Sequence, residues 1–145
     1  MIFRWLPVFL WAAVIFLASA NPDPYKQLSS DWLKPCSSAD FGKPSCAELL
    51  GRVLHAGEYS VLAALAARGL IWKGEMRPTL LGVAWGLSAL YALSDEIHQL
   101  FVPGRSFQLL DLALDIGGGL IGLMVFASIR IIMFQHKGNF FRQHK

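Results

Sequence analysis

The chain is expected to fold as an all-α, integral membrane four-helix bundle with both termini on the cytoplasmic side. Three observations point there. Of its 145 residues 54% are hydrophobic and only 16% are charged, against about 25% charged in an ordinary soluble domain. The mean hydropathy is +0.45. The apolar residues are gathered into four blocks instead of being spread along amphipathic segments. The length suits one domain spanning 1–145.

The first block covers residues 2–20 and is broken only by Arg4 and Pro7. It is near the lower limit for a span, since a hydrocarbon core of about 30 Å needs roughly 20 helical residues. It also has a rival reading. Arg4, an apolar run and then Ala18-Ser19-Ala20 match the pattern of a cleaved signal peptide. The second block, 49–72, holds Arg52, His55, Glu58 and Tyr59 near its start. The third, 80–102, carries Asp95, Glu96, His98 and Gln99 near its end. The fourth, 107–134, opens with Asp111 and Asp115. These three are long enough to cross a bilayer.

Orientation follows from the basic residues alone. Termini inside puts eight of the 13 Lys and Arg on the inner face (Arg4, Arg68, Lys73, Arg77, Arg130, Lys137, Arg142 and Lys145) and five outside. The loop 21–48 then lies outside and carries Cys36 and Cys46. Two thiols in an oxidising compartment commonly pair, so a Cys36–Cys46 disulfide is expected. The tail 135–145 is basic and reads as a disordered solubilising end. Localisation in a bacterial inner membrane as a multi-pass protein fits this layout.

The polar residues share a depth. The second segment descends, the third ascends and the fourth descends, so their polar turns meet at one membrane end, with Arg105 in the turn between the last two. Ionisable groups next to hydrocarbon are costly and mark functional sites by default. Helical spacing places Asp111, Asp115, Gly118 and Gly122 on one stripe. Gly118 and Gly122 form a GxxxG pair that lets two helices approach closely, so the acids should face the interior. Gly82, Gly86, Ala89, Leu93 and Glu96 form a similar stripe on the third segment, and Asp95 with Gln99 a neighbouring one. Arg52 and Arg105 cannot neutralise five acids. The excess needs a proton on some of them, a bound cation or entering water.

Several chemistries are set aside. His55 and Glu58 at i, i+3 lack HExxH spacing, and no metal or other cofactor is expected. Gly117-Gly118-Gly119 follows no strand, so it is packing and not a nucleotide loop. No basic patch interleaved with aromatics suggests nucleic acid. No Ser–His–acid nucleophile can be assigned from spacing.

Residues 94–122, SDEIHQLFVPGRSFQLLDLALDIGGGLIG, and the upstream RVLHAGEY at 52–59 resemble the VanZ-like family of small bacterial membrane proteins. Arg52 stands where the family pattern suggests lysine. The resemblance implies a four-helix envelope protein, and a link to glycopeptide resistance through the family's named member, which is associated with low-level teicoplanin resistance. It carries the family's polar positions onto His55, Glu58, Tyr59, Asp95, Glu96, Gln99, Arg105, Asp111 and Asp115. With Arg52 these ten are the candidate ligand-binding residues.

Three functions compete. In a binding module, Arg105 and Arg52 hold a phosphate or carboxylate of an envelope lipid or lipid-linked cell-wall precursor, while the acids orient Arg105. In an intramembrane enzyme, His55, Glu58, Asp95 and Glu96 are the catalytic candidates, with Glu58 or Asp95 as general acid and His55 as base. In a proton- or cation-coupled carrier, the acids take the coupling ion. Four helices suit that role only within a homo-oligomer.

Overall fold

The structure is a computed structural model that describes residues 2–22 and 46–143, with side chains over 3–22 and 49–136. It has four helices: α1 (Ile2–Ser19), α2 (Cys46–Leu70), α3 (Pro78–Gln99) and α4 (Leu109–Gln143). No strand occurs among the described residues. Cys36, one partner of the expected Cys36–Cys46 pairing, lies outside them.

Helix boundaries follow local chemistry more closely than hydropathy. Pro78 starts α3 after Arg77, whose extended backbone (φ −106°, ψ 136°) is the conformation a following proline imposes. The apolar run was expected to keep α3 going to residue 102. It stops at Gln99 because Pro103 cannot continue a helix. Leu100, Phe101 and Val102 instead close tight turns onto Ile97, His98 and Gln99. Gly104 takes φ +82° to reverse the chain, a conformation that only glycine adopts at no steric cost. At the other end, α4 does not stop at residue 134 but continues to Gln143. The expected disordered tail is therefore helical through that residue. Hydropathy falls after Phe134, but no proline or glycine cluster stops the helix there.

By length and composition one described helix clearly suits a membrane span, Leu109–His136 within α4. The apolar part of α1, Phe3–Ser19, is shorter. Arg52 and Glu58 dilute α2, and Asp95 and Glu96 dilute α3. The expectation of four spans is thus met in full only by α4 on this criterion.

Packing inverts the pattern of a soluble protein. One of the two inner clusters is built mainly of small residues: Ala63, Ala66, Ala67 and Ala84 pack with Leu123, while Phe9, Leu17, Leu90, Ile121, Met124 and Phe134 face outward. Helices in lipid associate through small residues because burying leucine from hydrocarbon gains little. The most extensive seam joins α2 to α4. There the expected glycine pair does its work: a Cβ at Gly118 would overlap Ala56 O, and one at Gly122 would overlap Ser60 O. Ser60 Oγ also donates to Gly118 O.

The stripe expected on α3 is corrected. Gly82 and Leu93 are exposed, and Ala84, Ser88, Ala92, Asp95 and Gln99 face inward beside Glu96. The helix turns its alanines and serine to α2, where Ser88 Oγ reaches Tyr59 O at 3.5 Å. Glycine spacing alone did not reveal that α3 packs through its alanine face.

α1 is tied into the bundle by its aromatics and theirs. Trp11 Nε1 donates to Glu58 O at 2.9 Å, and Tyr91 Oη donates to Ala12 O at 2.7 Å. Trp5 packs on Gly69. A core cluster draws on all four helices: Ile15, Tyr59, Leu62, Ala92 and Leu112. It reaches into the polar level, since Tyr59 and Leu112 lie among the polar residues of α2 and α4.

Candidate functional site

The polar residues predicted to share a depth do so, and two linked groups result. The first surrounds Asp95. Its Oδ2 accepts from Ser19 Oγ at 2.7 Å and from Gln99 Nε2 at 3.2 Å. The buried Tyr59 hydroxyl faces the same carboxylate. Gln99 Oε1 in turn accepts from Arg105 Nη1 at 3.3 Å, and Asn21 O accepts from Arg105 Nη2 at 3.4 Å. One buried carboxylate therefore ties α1, α2 and α3 together and orients the turn arginine through an amide.

The second group lies on the α2–α4 seam. Arg52 Nε is 3.1 Å from Asp111 Oδ1. His55 Nδ1 is 3.9 Å from Glu58 Oε2 and 4.0 Å from Asp115 Oδ2. These contacts are a consequence of the glycine pair. Asp115 and Asp111 sit one and two turns above Gly118 on the same stripe, so the close approach at Ala56 brings His55 and Arg52 within reach of them. Asp111 also lies in the first turn of α4, where an acid meets the positive end of the helix dipole.

Glu96 stands between the groups with a different task. Its Oε2 accepts from the Gln108 backbone N–H at 2.9 Å. That bond anchors the chain just before α4 and fixes the turn that presents Arg105. The charges lie close enough to act on one another: Asp115 is in the field of Glu96, Asp95, Asp111 and Glu58, and Glu58 in that of Asp95 and Arg105.

Ser19, Tyr59, Asp95, Glu96, Gln99 and Asp115 are each at most 4% exposed. Yet Tyr59 Oη, Asp95 Oδ1 and Asp115 Oδ1 make no well-formed hydrogen bond among the described residues. Buried polar atoms are nearly always satisfied by protein or water, so these three are exceptions, and all of them lie at the polar level. No three His, Cys, Asp or Glu side chains among the described residues converge to hold a metal ion.

Two expectations change. The acids do not hold Arg105 directly. Among the described residues its guanidinium donates to two neutral oxygens and meets no carboxylate at ion-pair distance. Gln99, one turn beyond Asp95, occupies the place between them. The site also draws on residues that sequence reasoning passed over: Ser19, the Asn21 carbonyl and the Gln108 amide. Ser19 was read as part of a cleavage consensus, and that reading hid its equal claim as a polar residue at the shared depth. His98, on the same helix end, stacks on Phe16 with ring centroids 4.5 Å apart.

The VanZ/LLP1 family matches residues 3–133. That is nearly the whole chain, and the protein belongs to this family. No curated protein and no solved structure matches the chain.

Proposed function

We propose that this VanZ/LLP1-family member is a multi-pass protein of the bacterial inner membrane. Its polar cluster forms an outward-facing pocket for the phosphate or carboxylate of an envelope lipid or lipid-linked cell-wall precursor. The observation that carries this reading is Arg105. It is half-buried, aimed by Gln99 and Asn21, and spends its hydrogen bonds on neutral acceptors. A guanidinium held this way keeps its charge for a planar anion, which it binds bidentately. Arg52, by contrast, already faces Asp111. The link to glycopeptide resistance rests on family membership alone.

Helix geometry supports the multi-pass reading where hydropathy is equivocal. Nineteen residues separate Asp111 from Arg130 on α4, and nineteen separate Arg77 from Glu96 across α3. At 1.5 Å per residue both intervals are about 28 Å, close to the hydrocarbon thickness of about 30 Å. Polar levels one bilayer apart, with outward-facing leucine and phenylalanine between them, are what a membrane bundle requires. The excess of Lys and Arg at the Arg130 end favours that end as cytoplasmic.

The test is titration of the purified protein with a polyprenyl monophosphate in detergent. Arg105→Lys should weaken binding by about tenfold or more, because an ammonium offers a point charge in place of a fork. Unchanged affinity in that variant would remove the Arg105 pocket.

A second reading has its own observation. His55 lies between two carboxylates, Glu58 and Asp115, an arrangement able to move a proton. If the site performs acid–base chemistry on its lipid-linked ligand, Glu58→Gln should abolish the cellular activity while polyprenyl phosphate binding stays within about twofold of wild type. Retained cellular activity in Glu58→Gln would leave the binding module as the sole reading.

A further inference from the structure

The opposite end of the bundle carries an open cleft of about 640 Å³ between the α2–α3 connection and the last turns of apolar α4. Its rim is basic and its wall is apolar. Lys73 and Arg130 line it with Glu75, beside Met76, Met133 and Phe134. Glu75 Oε2 lies 3.8 Å from Arg77 Nη2, so the cleft's one acid already has a cation of its own. Arg130 Nη2 donates to Gly74 O at 3.2 Å, which steadies the guanidinium at the rim and spends none of its charge on a carboxylate. Among the described residues Lys73 meets no acid at ion-pair distance. Arg68 lies over the Trp72 ring at 4.7 Å, adding a third cation and an aromatic next to the cleft. The apolar wall continues directly into the exposed face of the helix most suited to span the membrane, Leu109–His136.

We propose that this cleft seats the headgroup of an anionic phospholipid from the leaflet facing this end. Lys73 and Arg130 would contact the phosphate, and an acyl chain would run along Met133 and Phe134. Each component of such a lipid finds its counterpart. The phosphate needs uncompensated cations at the depth where hydrocarbon ends, and basic pockets between helices at that depth are suited to it. The acyl chain needs an apolar strip leading into the bilayer, and α4 supplies one. The cleft volume lies within the range of about 300–1,000 Å³ usual for small-molecule sites. The proposal is independent of the pocket at the Arg105 end, about 28 Å away along α4.

The experiment is native mass spectrometry of the full chain, released from nanodiscs of equal phosphatidylglycerol and phosphatidylcholine content. Wild-type protein should retain phosphatidylglycerol in preference to phosphatidylcholine. Each cation near a lipid surface is worth about fivefold in binding, so Lys73→Gln/Arg130→Gln should lower the preference by about 25-fold, or to parity if it starts smaller. The comparison is repeated in the Arg105→Gln background, where any lipid held at the other end is lost and the Lys73→Gln/Arg130→Gln drop should persist. Arg130 tethers Gly74, so the double variant could fail to fold for that reason alone. In that event Lys73→Gln, in an exposed position, must still lower the preference by about fivefold. Excess inorganic phosphate should not displace the lipid. The proposal is overturned if the variants keep the wild-type preference, if their effect disappears in the Arg105→Gln background, or if free phosphate displaces the lipid.

Discussion

Gly122→Val is expected to destabilise the protein by about 3 kcal/mol, at the upper end for overpacking of a tight interface. The atoms that a side chain at Gly122 would meet are the O, C and Cα of Ser60. Backbone cannot rotate away as a flexible side chain can, so α2 and α4 must separate. The gain in helix propensity on leaving glycine, about 1 kcal/mol at most, is too small to offset this. The separation would also draw Arg52 from Asp111 and His55 from Asp115, so anion binding should fall with stability. Gly117→Ala is the control, because a Cβ there meets nothing within 4 Å. Unfolding in mixed detergent micelles should show Gly117→Ala no less stable than wild type and up to about 1 kcal/mol more stable. Equal effects at Gly117 and Gly122 would mean that the glycines matter for helix flexibility and not for contact.

Asp95→Ala is expected to cost about 3 kcal/mol, while Asp95→Asn should stay within about 1 kcal/mol of wild type. Alanine leaves Ser19 Oγ and Gln99 Nε2 without their acceptor, and each buried orphan donor costs about 1–3 kcal/mol. Removing a buried charge works in the opposite direction, because it relieves desolvation. Two stranded donors and a cavity outweigh that relief in alanine. Asparagine keeps an acceptor oxygen and still removes the charge. An asparagine variant as unstable as alanine would show that the charge, and not the acceptor, holds the network. Asp95→Ala should also weaken polyprenyl phosphate binding, because Gln99 then loses the partner that fixes it against Arg105, whereas Asp95→Asn should keep it.

Much of this arrangement is legible in the sequence because membrane helices obey few rules. Depth follows from residue number along a helix, so Asp95, Asp111 and His55 could be placed at one level from block boundaries alone. The glycine stripe named the tight face of α4 because only glycine admits a backbone at that distance. The α3 face was misjudged for the same reason: spacing showed its glycines, and alanine, which packs almost as closely, carries no comparable signature.

The chain alone determined the class of the bundle, the level of its polar residues and the family to which it belongs, since composition and helical pitch are local properties. Only the tertiary structure decided which groups touch. Whether Arg105 would meet an acid or an amide depended on the rotation of α3 and on how Asp95 is held, in part by Ser19, 76 residues before it. Contacts between distant segments are set by how helices pack, and no periodicity within a single helix encodes that rotation.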